Sequence, residues 1–323
     1  MRAHDSSAAA IVLLPSKGVG LMSGRPIKRV GEICSLSSSA HRPAFPPRQP
    51  LSTPPQPLLT QTSYFTTMKT ATSAVAAALV LASSAAARTF TVYNNCPFTI
   101  WPALFTDLNV GTAVPSQPTG WAQNAYQSVS FSVPNNWTAG RIWGRRNCNF
   151  ATNPGPNSCL DGGCNGGLLC DPHTGTGVPP ATLAEFTLSA SSGLDYYDVS
   201  LVDGYNLPLK IQSTTASCGI ADCGVDLGPN CPAALKGPYD STGFPVGCKS
   251  DCLVDPNPTN SPSCCSGSHN TPATCPPSGV PNYSYFKNNC PNSYVYAYDE
   301  SSGTALWTCP SAAEPNYTVT FCP

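Results

Sequence analysis

Charged residues are scarce in this sequence and make up only 10% of its 323 residues. Residues 88–323 hold 8 Lys and Arg against 15 Asp and Glu, a net charge of −7. Nucleic-acid binding needs clustered basic residues, so we expect no nucleic-acid partner. Histidine is also rare, with 4 in the chain, and no G-x-S-x-G, H-E-x-x-H or phosphate-loop string occurs. These absences exclude the common hydrolase, metalloprotease and nucleotide-binding motifs.

Long apolar runs are missing after residue 87, so we expect neither stable membrane insertion nor a lipid anchor. One short apolar run, residues 74–82, follows Met68 and Lys69 and precedes the small residues 83–87. A positive start, a short apolar run and small residues are typical of a signal peptide. We predict an extension at 1–67 that is disordered or wrongly annotated, a signal peptide at 68–87 and a secreted domain at 88–323. A genuine extension with another destination is the alternative.

Cysteine is abundant, with 17 in the chain. Cleavage after residue 87 would remove Cys34 and leave an even number, so eight disulfides could use every remaining cysteine. Their spacing leaves the pairing open. We expect no metal and no cofactor, because His173 and His269 are isolated and no two C-x-x-C motifs stand at zinc-ribbon spacing.

Apolar and polar residues alternate along several short stretches, which is typical of half-buried strands. The stretches are residues 90–92, 129–133, 184–188, 197–201 and 317–321. They predict a mainly β protein, an antiparallel sandwich or barrel. A short helix at Tyr283–Asn289 is the best helical candidate.

Three acidic residues stand at polar positions of these strands or just beyond them. Glu185 and Asp198 lie on two strands, and Asp203 follows the second. If the strands are neighbours, the carboxyls gather, and like charges raise the pKa of one while another stays ionised. Three interpretations remain open: a solvated strand face, a sugar-binding surface, or the acid pair of a glycoside hydrolase.

Several segments together resemble the thaumatin-like family, also called osmotin-like or pathogenesis-related thaumatin-like proteins. The segments are residues 90–101, 140–145, 164–170, 182–186, 197–208 and 317–323, and the order of sixteen cysteines agrees. The resemblance covers nearly all of residues 88–323. One departure is the motif C-x-T-G-D-C, which here reads Cys-Leu-Asp161-Gly-Gly163-Cys and leaves the hydrogen bonds of that loop in question.

The resemblance implies an antiparallel β-sandwich core with two disulfide-rich loop lobes, a cleft between the core and the larger lobe, and eight disulfides. By cysteine order the pairs are Cys96–Cys322, Cys148–Cys159, Cys164–Cys170, Cys218–Cys309, Cys223–Cys290, Cys231–Cys248, Cys252–Cys264 and Cys265–Cys275. It also implies an acidic cleft, whose residues would be Arg141, Glu185, Asp198, Asp203 and, by a looser match, Asp299, with Glu300 as the rival position.

The function that this resemblance implies is binding of β-1,3-glucan in cell walls, in defence or wall remodelling, with Tyr197 and Tyr205 near enough in sequence to stack on sugar rings. A weak endo-β-1,3-glucanase is an alternative, with Glu185 as general acid and Asp198 or Asp203 as nucleophile or base. An inhibitor of a secreted hydrolase, acting through loops, is another. We expect a monomer, and N-glycosylation sequons begin at Asn136, Asn282 and Asn316.

Overall fold

The structure is a computed structural model that describes residues 87–323. The predicted extension, residues 68–86 of the predicted signal peptide and Cys34 lie outside these residues. Residues 87–323 contain two five-stranded sheets, in the strand orders β3-β1-β10-β7-β8 and β2-β4-β5-β6-β9. The strands are β1 Ala87–Asn94, β2 Ala103–Thr106, β3 Ser128–Pro134, β4 Gly140–Trp143, β5 Leu183–Thr187, β6 Leu194–Ser200, β7 Leu209–Ser213, β8 Ala221–Cys223, β9 Trp307–Pro310 and β10 Tyr317–Phe321. The helices are α1 Asp251–Val254 and α2 Tyr283–Asn289, the latter as predicted.

The core lies between the two sheets and is centred on aromatic side chains. Phe90 of the first sheet meets Phe186 of the second with ring centroids 4.9 Å apart, and Tyr317 contacts both rings. All three side chains are at most 2% exposed. Each sits at an apolar position of the alternating pattern, so the predicted period-two strands bury the expected face.

One strand pair departs from the antiparallel prediction. The first and last strands, β1 and β10, run parallel at the centre of their sheet, with Phe90 opposite Tyr317. Parallel neighbours need a long connection, and here nearly the whole described chain provides it. Cys96–Cys322 then joins the ends of the same two strands across 226 residues. A bridge across such a long loop restricts the unfolded chain strongly.

The eight disulfides form with the pairing that the family resemblance implies. Two of them hold residues 148–170, which we call the small lobe. Four lie within residues 223–290, the large lobe, which holds both helices. Neither lobe contributes a long strand, so covalent links substitute for an extensive sheet. No helix in the described part of the chain is long and apolar enough to cross a membrane.

The small lobe contains the departure from the family motif. Asp161 is only 3% exposed, and its Oδ1 accepts a hydrogen bond from Asn206 Nδ2 at 3.0 Å. Its Oδ2 is buried and has no hydrogen-bond partner among residues 87–323. Burial raises the pKa of Asp161 to about 7, although the Asn206 hydrogen bond and the charge of Arg146 oppose the rise.

Candidate functional site

Three charged residues lie side by side across neighbouring strands of the second sheet. Arg141 on β4 is directly opposite Glu185 on β5, and Glu185 is directly opposite Asp198 on β6. Their strand neighbours Ala184 and Val199 point into the core. Because side chains alternate between the faces of a strand, the three charged groups share the face turned away from the core. We call Arg141, Glu185 and Asp198 the acid row.

The two more exposed members of the acid row, Arg141 and Glu185, form an ion pair. Arg141 Nε lies 2.9 Å from Glu185 Oε1, and the two side chains are 20% and 13% exposed. Burial raises the pKa of Glu185, whereas the charge of Arg141 lowers it. The pair therefore keeps Glu185 closer to its ionised form than burial alone would allow, while solvent can still reach both groups.

Asp198, the most buried member of the acid row, differs from Glu185 in its solvent exposure and in how far its pKa is raised. It is 3% exposed, and its Oδ1 has no hydrogen-bond partner in the described chain. Burial, together with the charge of Glu185, raises its pKa well above the usual value. A buried carboxyl without a partner is costly when ionised, so Asp198 is the member that holds a proton most readily.

Asp203 joins this group from the turn after β6. Its backbone oxygen accepts from Ala181 N at 3.0 Å, which fixes the turn, and its side chain is half-buried. Burial raises the pKa of Asp203, while the charge of Arg141 opposes the rise. Asp203 in turn raises the pKa of Glu185. Four of the residues expected from sequence thus act on one another electrostatically.

Asp299, the fifth expected residue, makes its contacts elsewhere. Its carboxylate is fully buried and accepts hydrogen bonds from Tyr283 OH at 2.7 Å and Val295 N at 3.0 Å. Lys287 Nζ lies 2.9 Å away and forms an ion pair with it. These partners leave it no free oxygen for a ligand, so its surroundings are those of a structural residue.

Glu300, the alternative to Asp299 in the sequence prediction, is the acid whose charge affects the acid row. It is exposed, and its negative charge raises the pKa of Asp198. It also raises the pKa of Tyr294, which is raised first by burial. Tyr294 pairs its backbone with Ser200 at the end of β6. Sequence reasoning did not find Tyr294, because nothing in the local pattern links it to a strand about a hundred residues earlier.

The aromatic residues expected to stack on sugars are not available for that role. Tyr197 and Tyr205 are both fully buried. The hydroxyl of Tyr197 donates to the Gly219 backbone oxygen, and that of Tyr205 lies 3.4 Å from Asp226 Oδ1. Tyr196 is the partly exposed aromatic residue on the outer face, beside the acid row.

The three sequons differ in the state of the asparagine side chain. Asn136 and Asn316 are exposed. Asn282 is partly buried, and its Nδ2 donates to Asp251 Oδ1 at 2.6 Å. The nitrogen that a glycan would need is thus engaged at Asn282. Within residues 87–323, no group of three His, Cys, Asp or Glu residues is arranged to hold a metal ion.

The fold and the site define a disulfide-stabilised β-sandwich protein with a cluster of acids around one arginine. The chain belongs to the thaumatin family, whose model matches residues 94–323. It is 42% identical over 242 residues to pathogenesis-related thaumatin-like protein 3.5 of Cryptomeria japonica, covering 74% of this chain and 91% of that one. It is 38% identical over 263 residues to a glucan endo-1,3-beta-glucosidase of Prunus avium, covering 79% and 100%.

A similar solved structure is that of the thaumatin-like xylanase inhibitor TLXI. The likeness has a TM-score of 0.35 at 20% sequence identity, and it covers 72% of this chain and 99% of the other.

Proposed function

We propose that this protein binds β-1,3-glucan of cell walls through Arg141, Glu185 and Asp203. The observation that carries the proposal is the partly exposed ion pair of Arg141 and Glu185 beside a half-buried acid with a raised pKa. Sugar hydroxyls both donate and accept hydrogen bonds, so a surface with a guanidinium, an ionised carboxylate and a protonatable carboxyl suits them. The name of the Prunus avium relative is consistent with this ligand class.

We infer an extracellular or cell-wall location, in a role in defence or wall remodelling. Eight disulfides use every cysteine in the described residues, and such bridges form and persist in oxidising compartments. The predicted signal peptide agrees with this location. N-terminal sequencing of secreted protein tests it, and a mature chain that retains any of residues 1–67 would contradict the predicted processing.

A weak endo-β-1,3-glucanase activity is a second candidate, supported by the unequal protonation of neighbouring acids. Burial raises the pKa of both Glu185 and Asp203, and the charge of Arg141 opposes the rise at each, so the charges alone do not divide the acid and base roles between these two carboxyls. The acid with the greatest tendency to hold a proton, Asp198, is only 3% exposed, which favours binding over turnover.

Retention on insoluble β-1,3-glucan, compared with cellulose, tests the binding proposal. We expect the unmodified protein to be retained on the glucan alone. Glu185→Gln should weaken retention roughly tenfold or more, because hydrogen bonds to a charged acceptor are lost. Glu314→Gln removes the same charge at an exposed position away from the row and serves as the matched control. Equal retention on both polymers, or full retention of Glu185→Gln, would contradict the proposal.

Release of reducing ends from laminarin tests the catalytic candidate separately. If the protein is a glucanase, Glu185→Gln and Asp203→Asn should each abolish release. Release that survives unchanged in both variants would come from a contaminating enzyme. No release by the unmodified protein excludes this candidate and leaves the binding proposal intact.

A further inference from the structure

The small lobe contains the one Asn-Gly pair of the sequence, Asn165-Gly166. Asparagine is a thermolabile residue, because the next backbone nitrogen can attack its side-chain carbonyl carbon and close a five-membered ring. A following glycine favours this attack, since it has no Cβ to hinder the approach. Two Asp-Gly pairs, Asp161-Gly162 and Asp203-Gly204, can close the same ring. The sequence alone therefore points to three candidate sites of modification.

The hydrogen bonds of the three glycine nitrogens distinguish these sites. Gly162 N donates to Val178 O at 3.1 Å, and Gly204 N donates to Leu201 O at 2.9 Å. Gly166 N donates no hydrogen bond to any acceptor in residues 87–323. A nitrogen that is held in a hydrogen bond must break that bond before it can attack, which adds to the barrier of the reaction. Only the Asn-Gly pair therefore has its attacking nitrogen free.

The side chain of Asn165 is accessible and weakly held. Both Asn165 and Gly166 are exposed. Asn165 Nδ2 lies 3.4 Å from Thr174 O, which is long for a hydrogen bond. Gly166 has a φ of 92°, a conformation that glycine adopts without strain. Water therefore reaches the amide, and the side chain can turn toward the backbone nitrogen at little cost.

We propose that Asn165 deamidates spontaneously in the folded protein. Gly166 N forms a bond to Asn165 Cγ, its hydrogen leaves with the Nδ2 group as ammonia, and a cyclic imide remains. Water then opens either C–N bond of the imide and leaves aspartate or isoaspartate at position 165. The reaction needs water alone and gives the small lobe one further negative charge. It does not depend on glucan binding at the acid row.

The isoaspartate product disturbs the contacts of a buried arginine. It adds one carbon to the main chain between Cys164 and Cys170, whose disulfide closes a short loop. Gly167 O and Leu168 O of this loop accept hydrogen bonds from Arg145 at 2.7 and 2.9 Å, and Arg145 is fully buried. Arg145 has no ion-pair partner within residues 87–323, so backbone carbonyls stabilise its charge. Displacing either carbonyl leaves a buried charged donor unpaired, which destabilises the folded state.

Incubation of the folded, disulfide-intact protein for several weeks at mildly alkaline pH tests the proposal, with isoelectric focusing and peptide mapping as readouts. We expect a more acidic species to accumulate, with aspartate and isoaspartate at position 165. Asn165→Gln should lose this species, because the longer side chain would have to close a less favourable six-membered ring. Asn157→Gln alters another exposed asparagine of the small lobe and should leave the species unchanged.

The purified isoaspartate species should melt about 5 °C or more below the unmodified protein, since a hydrogen bond to the buried guanidinium is lost. If Asn165→Gln does not fold, the peptide map of the unmodified protein still decides the site, with Asp161 and Asp203 as internal controls that stay unmodified. The proposal is overturned if no acidic species forms, if another asparagine reacts first, if the species persists in Asn165→Gln, or if isoaspartate appears as fast at Asp161 or Asp203. An unchanged Tm of the isoaspartate species would overturn the effect on Arg145.

Discussion

Replacing Asp161 with Asn changes one buried carboxyl that the family motif does not contain at this position. The carboxyl is 3% exposed, receives one hydrogen bond from Asn206, and leaves Oδ2 without a partner in the described residues. Asn has the same shape as the protonated acid and cannot ionise. The substitution should therefore preserve the Asn206 contact while removing the cost of a buried negative charge.

The magnitude follows from the pKa. Burial raises the pKa of Asp161 from 3.8 to about 7. Each pKa unit corresponds to about 1.36 kcal/mol, so ionisation of the folded protein costs about 4 kcal/mol. The folded state holds the proton more tightly than the unfolded state. The free energy of unfolding therefore falls as pH rises from about 4 to about 7 and levels off above that.

The assay is thermal unfolding as a function of pH, with the disulfides intact. We expect Asp161→Asn to raise Tm by about 8 °C or more near pH 8, and to change it little near pH 4. Asp171→Asn is the matched control. Asp171 is partly exposed, and hydrogen bonds from His173 and Thr174 lower its pKa, so its loss should bring no gain at neutral pH. An equal Tm gain at both pH values, or a loss near pH 8, would refute this reasoning.

Two further predictions concern glycosylation and a buried ion pair. Peptide mass mapping of secreted protein should find glycans at Asn136 and Asn316 but not at Asn282, whose side-chain nitrogen is engaged; a fully glycosylated Asn282 would contradict this. Asp195→Ala should lower stability by about 3–5 kcal/mol in chemical denaturation, because it leaves the buried Arg88 guanidinium without its counter-ion. An unchanged denaturation midpoint would contradict that expectation.

The sequence predicts a strand well where apolar and polar residues alternate over enough positions for the period of two to be recognised. Strands β1 and β3 repeat apolar residues such as Phe90 and Phe131 at period two, and both were expected. Strands β2 and β4 have four residues each, too few for a period to stand out. The parallel pairing of β1 with β10 depends on contacts across 226 residues or more, which no local pattern encodes.

The candidate site was predictable in its members but not in their surroundings. Strand parity placed Glu185 and Asp198 on one face, and the register confirms that they are neighbours. The alternation of side chains along a strand shows which face of the sheet a residue lies on, but not whether another segment of the chain covers that face. Asp198 is buried whereas the Glu185 side chain is 13% exposed, so access to solvent distinguishes two carboxyls that looked equally useful in sequence.

The burial of Asp198 also separates binding from catalysis in a single variant. Asp198→Asn fixes the neutral form that burial and the charge of Glu185 already favour. If the acid row only binds glucan, the Arg141–Glu185 pair of the variant stays at the surface, and the variant should still be retained on glucan at neutral pH. The Tm of the variant should exceed that of the unmodified protein by an amount that grows as pH rises, because the variant has no buried carboxyl to ionise. If Asp198 instead delivers a proton during hydrolysis, release of reducing ends from laminarin should disappear although glucan is still retained. Loss of retention alongside an intact melting curve would contradict both interpretations, because it would make a nearly inaccessible carboxyl a direct ligand contact.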